Sequence, residues 1–234
     1  MKLAILGVGS VGKAVAQLSK EYGHTVVALA DSKNAIVNPK GIKVDDALER
    51  KSNQMPLGDA SLEDIFDSDY EVLIEATPTT LESAEPAFSN IKAALEADRH
   101  VVLANKGPVA ERFEELQSIA DGSKGALRFE ATVGGSIPIL STIEDVDSKN
   151  ITSVRGILNG TSNFILTRMA AKNLSYSHVL SEAQDLGVAE ADPTFDVGGI
   201  DTASALAGIA GCCPLRRGRP VELCVSRRPR GHPY

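Results

Sequence analysis

The stretch KLAILGVGSVG at residues 2–12 constrains this chain more than any other part of it. A short apolar run enters a turn with glycine at 7, 9 and 12. Small, apolar and polar residues then alternate to about Tyr22, and a second apolar run, TVVALAD, fills 25–31. That order predicts strand, glycine turn, helix and strand. In the pattern G-x-G-x-x-G the first glycine permits the turn and the second lets backbone approach a pyrophosphate. The third allows close helix-to-strand packing, and the phosphates sit on the helix N-terminus. Asp31, 19 residues beyond Gly12, adds an acid placed to accept hydrogen bonds from ribose hydroxyls. The alternative is a tight turn followed by a loop aspartate. An acid at 31 favours NAD over NADP because it would repel a 2′-phosphate, while Lys33 and Lys40 would blunt that repulsion, so both cofactors stay open.

The remaining chain repeats the theme. A polar stretch with Asn34, Asn38, Pro39, Gly41, Pro56 and Gly58 reads as loop with one short helix. EVLIEATP (71–78) is a buried run, and Ala84, Ala87, Phe88, Ile91, Ala94 and Leu95 share one helical face. HVVLANK (100–106) predicts a strand, 109–121 a helix and ALRFEATV (126–133) another strand. Strands alternating with helices imply right-handed crossovers and a doubly wound, mainly parallel sheet. After Gly134 and Gly135 the rhythm changes: IPILSTIED reads as helix, ITSVRGIL (151–158) as strand, and NGTSNFILTRMAA and SYSHVLSEAQDLG as two helices. The fold class is therefore α/β, a Rossmann-type sheet domain over 1–133, with the start of an α+β domain over 134–203.

Composition separates the last part of the chain from the rest. All three cysteines and six arginines, but no lysine and one acid, fall in 211–234, leaving 18 basic against 30 acidic residues in 1–210. An acidic body argues against nucleic acid as a partner, and a body without cysteine argues against a disulfide framework. No apolar run reaches the ~18–20 residues that span a bilayer. Gly7 and Gly9 interrupt the N-terminal apolar run short of the ~7–15 residues of a secretory signal, which makes the cytoplasm the expected location. Residues 204–234, rich in Arg, Pro and Cys, read as a disordered tail.

Three groups of residues offer chemistry. Thr77 and Lys106 end two strands at the carboxyl edge of the sheet, where ligands bind in open α/β folds. A lysine there can stabilise an alkoxide developing during hydride transfer, or it can be a solvated loop charge. Glu190, Asp192, Asp196 and Asp201 crowd into VAEADPTFDVGGID, where they could hold a substrate ammonium. Equally, Asp192-Pro193 could start a turn and Asp201 could cap a helix. The four histidines show no metal-ligand spacing.

Taken together, ANKGPVA (104–110), FEATVGGSIPIL (129–140), GILNGTSNFILTRM (156–169) and EAQDLGVAEADPTFDVGGID (182–201) closely resemble homoserine dehydrogenase, in the right order from residue 1 to about 203. The resemblance implies NAD(P)-dependent interconversion of L-homoserine and L-aspartate 4-semialdehyde on the route to threonine, methionine and isoleucine. It implies that the turn Gly7, Gly9, Ser10, Val11 and Gly12, together with Thr77, contacts the dinucleotide, and that Lys106 lies between nicotinamide and substrate. Glu190 and Asp201 match positions that bind the amino end of the substrate. Glu130, Val133, Gly135 and Ile137 match a site for a monovalent cation, sodium or potassium, built largely from backbone carbonyls.

The sequence also departs from the family. Four residues beyond Asp201, where the family carries a lysine that donates a proton, this chain has Ala205. The family's later residues, which complete a catalytic and dimer-forming domain, find no counterpart in 204–234. One reading-frame shift near codons 203–205 would account for the change in composition and the lost lysine together. The expectation is an enzyme of impaired activity and doubtful dimerisation. The alternative is a non-catalytic, truncated dinucleotide-binding protein whose tail recruits a partner. A dehydrogenase of another kind, such as aspartate dehydrogenase, would need a catalytic histidine, for which His178 is a poor candidate.

Overall fold

The structure is a computed structural model, and it describes residues 1–212 except 152, 155, 190 and 191. The chain divides into two compact units, Met1–Ser136 and Ile137–Tyr234.

The first unit is built on a six-stranded sheet of order β3-β2-β1-β4-β5-β6. The apolar runs supply β1 (Lys2–Leu6), β2 (Thr25–Ala30), β4 (Val72–Glu75) and β5 (His100–Leu103), joined by β3 (Ala35–Val37) and β6 (Leu127–Arg128). All neighbouring pairs are parallel except β2 with β3. Alternation along the strands sorts side chains to two faces. Leu3, Ile5, Val72 and Ile74 join Ala16 of α1 (Ser10–Leu18) and Ala47 of α2 (Val44–Ser52) in one core cluster. α3 (Leu62–Phe66) packs near β3, and α4 (Ala87–Glu96) packs on β4 and β5, burying the expected face of Phe88, Ile91, Ala94 and Leu95.

Several expected elements differ. The polar stretch after Asp31 contains β3, α2 and α3. A three-residue strand is too short to show a period, and α2 reads as charged because only Ala47 and Leu48 are buried along it. The helix expected over 109–121 is two, α5 (Gly107–Glu111) and α6 (Phe113–Gly122), because Arg112 leaves helical geometry at φ −135°. Its guanidinium bonds Glu85 and Glu115 there. The strand expected over 126–133 pairs only at Leu127 and Arg128. The chain then closes into a 3-10 helix, Glu130–Thr132, held by the Thr132 hydroxyl donating to the Phe129 carbonyl at 2.7 Å.

The second unit is helical among the described residues: α7 (Ile139–Val146), α8 (Gly160–Lys172), α9 (Tyr176–Asp185), α10 (Thr194–Val197) and α11 (Ile200–Cys212). Ile165 of α8 packs on Val179 and Ala183 of α9. The strand expected over 151–158 is not formed by the described residues there. A strand needs a partner to satisfy its backbone groups, and the described residues of this unit provide none. α11 continues to Cys212, nine residues into the segment expected as a tail, with Ala205 and Ile209 fully buried. Residues 213–234, with the rest of that expectation, lie outside the described residues. No helix of the described residues is long and apolar enough to cross a membrane.

Candidate active site

A cavity of about 800 Å³ lies in the first unit at the carboxyl ends of β1, β2 and β4. This is the crevice where the strand order reverses, the place where open α/β sheets bind ligands. Gly7, Gly9, Ser10, Val11, Asp31 and Thr77 all line it. The structure thus brings six of the expected cofactor residues to one cavity, with Gly12 buried just behind them.

The three glycines have different reasons to be glycine. Gly7 sits at φ +97°, and a Cβ on it would lie 2.3 Å from the Ala76 carbonyl oxygen. A Cβ on Gly12 would lie 1.8 Å from the Gly7 carbonyl oxygen. Both are demanded by close packing of backbone on backbone. A Cβ on Gly9 would meet nothing within 4 Å. Gly9 caps α1 without a side-chain hydrogen bond, so the first N–H groups of the helix face open space, the arrangement that receives a phosphate. The residues present therefore fit a dinucleotide.

Asp31 is already engaged. Its Oδ1 accepts from the N–H groups of Lys33 and Asn34, each at 2.8 Å, and its Oδ2 pairs with Nζ of Lys51 in the last turn of α2. Burial alone would raise the Asp31 carboxyl, but Lys51 and the two N–H groups outweigh it and hold it below the usual aspartate value. Lys33 and Lys51 line the cavity, whereas Lys40 does not. Lys51 was missed because it lies in the stretch taken for loop.

Thr77 belongs to a buried polar chain. Its N–H and hydroxyl both donate to Oε1 of Glu75, the last residue of β4. Oε2 of Glu75 accepts from Nδ2 of Asn90 on α4 at 2.8 Å. Nδ2 of Asn105 donates to the Thr77 oxygen at 3.1 Å and to the Pro78 carbonyl at 2.9 Å, and Oδ1 of Asn105 accepts from the Gly107 N–H at 2.9 Å. Lys106 sits between these last two residues at the start of α5, half-buried and outside the cavity walls.

In the second unit, Asn159 gathers two of the acids. Nδ2 of Asn159 donates to Asp196 at 2.8 Å and to Asp201 at 2.9 Å, while its Oδ1 caps α8 through the Ser162 N–H. The Thr161 hydroxyl donates to Asp196 at 2.8 Å. Asp201 lies in the first turn of α11 rather than ahead of it as a cap. Asp192 is a turn residue, its Oδ1 accepting from the Thr194 N–H and hydroxyl. Glu190 lies outside the described residues. Ala205, fully buried on α11, offers no group that could donate a proton. His178 is exposed in the first turn of α9.

Of the residues matched to a cation site, Val133 is buried and Gly135 turns the chain at φ +61°. The Glu130 carbonyl already accepts from the N–H groups of Val133 and Gly134. Ile137 begins the second unit. Among the described residues, no cluster of three His, Cys, Asp or Glu side chains could hold a metal ion.

Comparison with known proteins gives consistent relatives. The family model for homoserine dehydrogenase matches residues 138–214. The model for glutamate/leucine/phenylalanine/valine dehydrogenase matches 1–117, within the sheet unit. The homoserine dehydrogenase of Methanocaldococcus jannaschii is 37% identical over 90% of this chain and 68% of its own length. The NAD(+)-dependent homoserine dehydrogenase of Pseudomonas canavaninivorans is 36% identical over 86% of this chain and 62% of its own. A candidate homoserine dehydrogenase of Archaeoglobus fulgidus superposes with a TM-score of 0.78 at 37% identity, covering 92% of this chain and 69% of that one. The chain spans about half, 48%, of the Bacillus subtilis homoserine dehydrogenase. Since the match to the Methanocaldococcus protein runs through both units, it decides between the two family models: the chain belongs to the homoserine dehydrogenase family.

Proposed function

We propose that the protein is an NAD(P)-dependent oxidoreductase of L-homoserine and L-aspartate 4-semialdehyde, serving threonine, methionine and isoleucine synthesis, and that the chain as written turns over poorly. The observation that carries this reading is the sequence identity with a homoserine dehydrogenase across both units. The relative named as NAD(+)-dependent supports NAD, and Lys51 beside Asp31 supplies a cation for a 2′-phosphate, so NADP also fits.

When bound, the nucleotide supplies or accepts the hydride. The chain's own residues do the rest. The first N–H groups of α1 hold phosphate, and Asp31 with Lys51 meets the ribose end. The Lys106 ammonium stabilises negative charge on the substrate oxygen as the carbonyl is reduced. Asp201, oriented by Asn159, takes the amino end of the substrate together with Glu190. A monovalent cation held by carbonyls near Val133 and Gly135 belongs to the same reading. The proton for the alkoxide has no donor at residue 205, and losing a general acid typically costs ~10²–10⁴-fold in rate.

Calorimetry with NADH and NADPH, beside an assay of homoserine-dependent NAD(P) reduction, tests the reading. The expected result is nucleotide binding with turnover ~10²–10⁴-fold below that of an intact family member. Equal turnover would overturn the impairment, and absence of nucleotide binding would overturn the site. Ala205 favours one second reading, a dinucleotide-binding protein without catalysis, which binding with no turnover at all would support. Size-exclusion chromatography of the same sample tells whether two copies pair.

A further inference from the structure

Glu75 is the only acid that is fully buried among the described residues. Strand alternation turns Val72 and Ile74 toward the α1 and α2 side and sends Glu75 to the opposite face, under α4. A carboxylate in such a place is costly unless its oxygens are satisfied. Here they are satisfied by three neutral donors and no cation: the Thr77 N–H, the Thr77 hydroxyl and the Asn90 amide. Burial pushes the Glu75 carboxyl above the usual range, and the hydrogen bonds from Thr77 and Asn90 only partly oppose it. A buried acid held at such expense, one residue from the cavity wall, has no role in the chemistry described above.

The polarity of the chain supplies one. A carboxylate can only accept, so the Thr77 hydroxyl spends its single proton on Glu75. One of its lone pairs receives Asn105. What remains is a lone pair, so toward the cavity Thr77 can only accept. Asn105 carries the arrangement further, because its bonds to Pro78 and Gly107 tie the backbone after β4 to the start of α5, beside Lys106.

We propose that Glu75 is a positioning residue of the nucleotide site: it orients the Thr77 hydroxyl as a hydrogen-bond acceptor for a donor group of the bound dinucleotide, a ribose hydroxyl or a carboxamide N–H. The inference rests on the nucleotide reading of the cavity given above.

The test is a double-mutant cycle read as NADH affinity of the full chain by calorimetry. Thr77→Val removes the hydroxyl and keeps the shape, and Glu75→Leu removes the acceptor at similar volume. Each is expected to weaken binding about tenfold, near the ~1.4 kcal/mol that corresponds to one such bond. The double variant is expected to lose no more than either alone, since both remove one interaction. Glu75→Gln, which keeps an oxygen for Thr77 and lets Asn90 reverse its amide, is expected to stay within about threefold of the parent. Should Glu75→Leu fail to fold, Glu75→Asp, which withdraws the carboxylate by one methylene, takes its place in the cycle. Additive losses, or an unchanged affinity in folded Glu75→Leu or Glu75→Asp, would overturn the positioning role while the site stands. If the parent chain binds neither NADH nor NADPH, the site itself fails and the inference with it.

Discussion

Lys51, in the last turn of α2, closes an ion pair with Asp31 at the end of β2, on the wall of the cavity. An acid at that position, standing alone, would exclude a 2′-phosphate. Paired with a lysine, it does not decide the cofactor by itself. Lys51→Met is therefore expected to weaken NADPH binding about tenfold more than NADH binding, a loss of the order of one charge-assisted contact. Parallel titrations of the two nucleotides check this, and equal losses for both would assign Lys51 to the fold rather than to discrimination.

Gly9 and Gly12 should respond differently to the same methyl group. Gly12→Ala drives a Cβ into the Gly7 carbonyl oxygen and is expected to cost about 1–3 kcal/mol of stability, as overpacking does. Gly9→Ala has open space around its Cβ and should leave stability within about 0.5 kcal/mol, while weakening nucleotide binding. Thermal denaturation and calorimetry on both variants separate the effects.

Two carboxyls of the first unit, Glu75 and Asp31, pull the pH profile in opposite directions. Glu75 has a folded pKa raised above its ordinary 4.5. Between those two values the folded state holds more protons than the unfolded state, so stability falls as pH rises through that window. Asp31 is lowered below its ordinary 3.8, so its contribution is present above 3.8 and is lost as pH falls through the lower folded value. Melting temperatures of the parent and of Glu75→Gln between about pH 4 and 8 should show the variant gaining on the parent as pH rises. A constant difference would contradict the direction given for Glu75.

Asn159 holds three partners in the second unit. Asn159→Ala removes the cap of α8, worth ~1 kcal/mol, and leaves Asp196 and Asp201 facing each other without the amide between them. The variant is therefore expected to lose about 1–3 kcal/mol of stability, the cap together with the hydrogen bonds to the two acids. Denaturant melts of parent and variant make the comparison.

How much of this was legible in the sequence depends on which forces set each part. The glycine turn, β1, β2, β4 and the helix carrying Phe88 and Ile91 were readable because burial imposes a period, and backbone contact allows only glycine at 7 and 12. β3 and α3 were not, since each is five residues or fewer and is held by pairing and by a cap from Ser61 rather than by an apolar pattern. The strand expected over 126–133 failed because apolar content alone does not distinguish a pairing segment from a 3-10 turn closed by Thr132. Thr77, expected from its place at a strand end, lines the cavity, whereas Lys106, expected on the same ground, lies outside its walls. Glu75, Asn90 and Asn105 were missed, because only folding brings residues 15 and 28 positions apart into one chain of hydrogen bonds.

Every wall of the cavity comes from the segment between Leu6 and Asn90. On a ribosome that segment emerges before α7 to α11, and domains generally fold as units from the N-terminus during synthesis. The walls of the cavity are thus complete before α7 to α11 are made. A change confined to α7 to α11 would then leave the walls of the cavity unaltered.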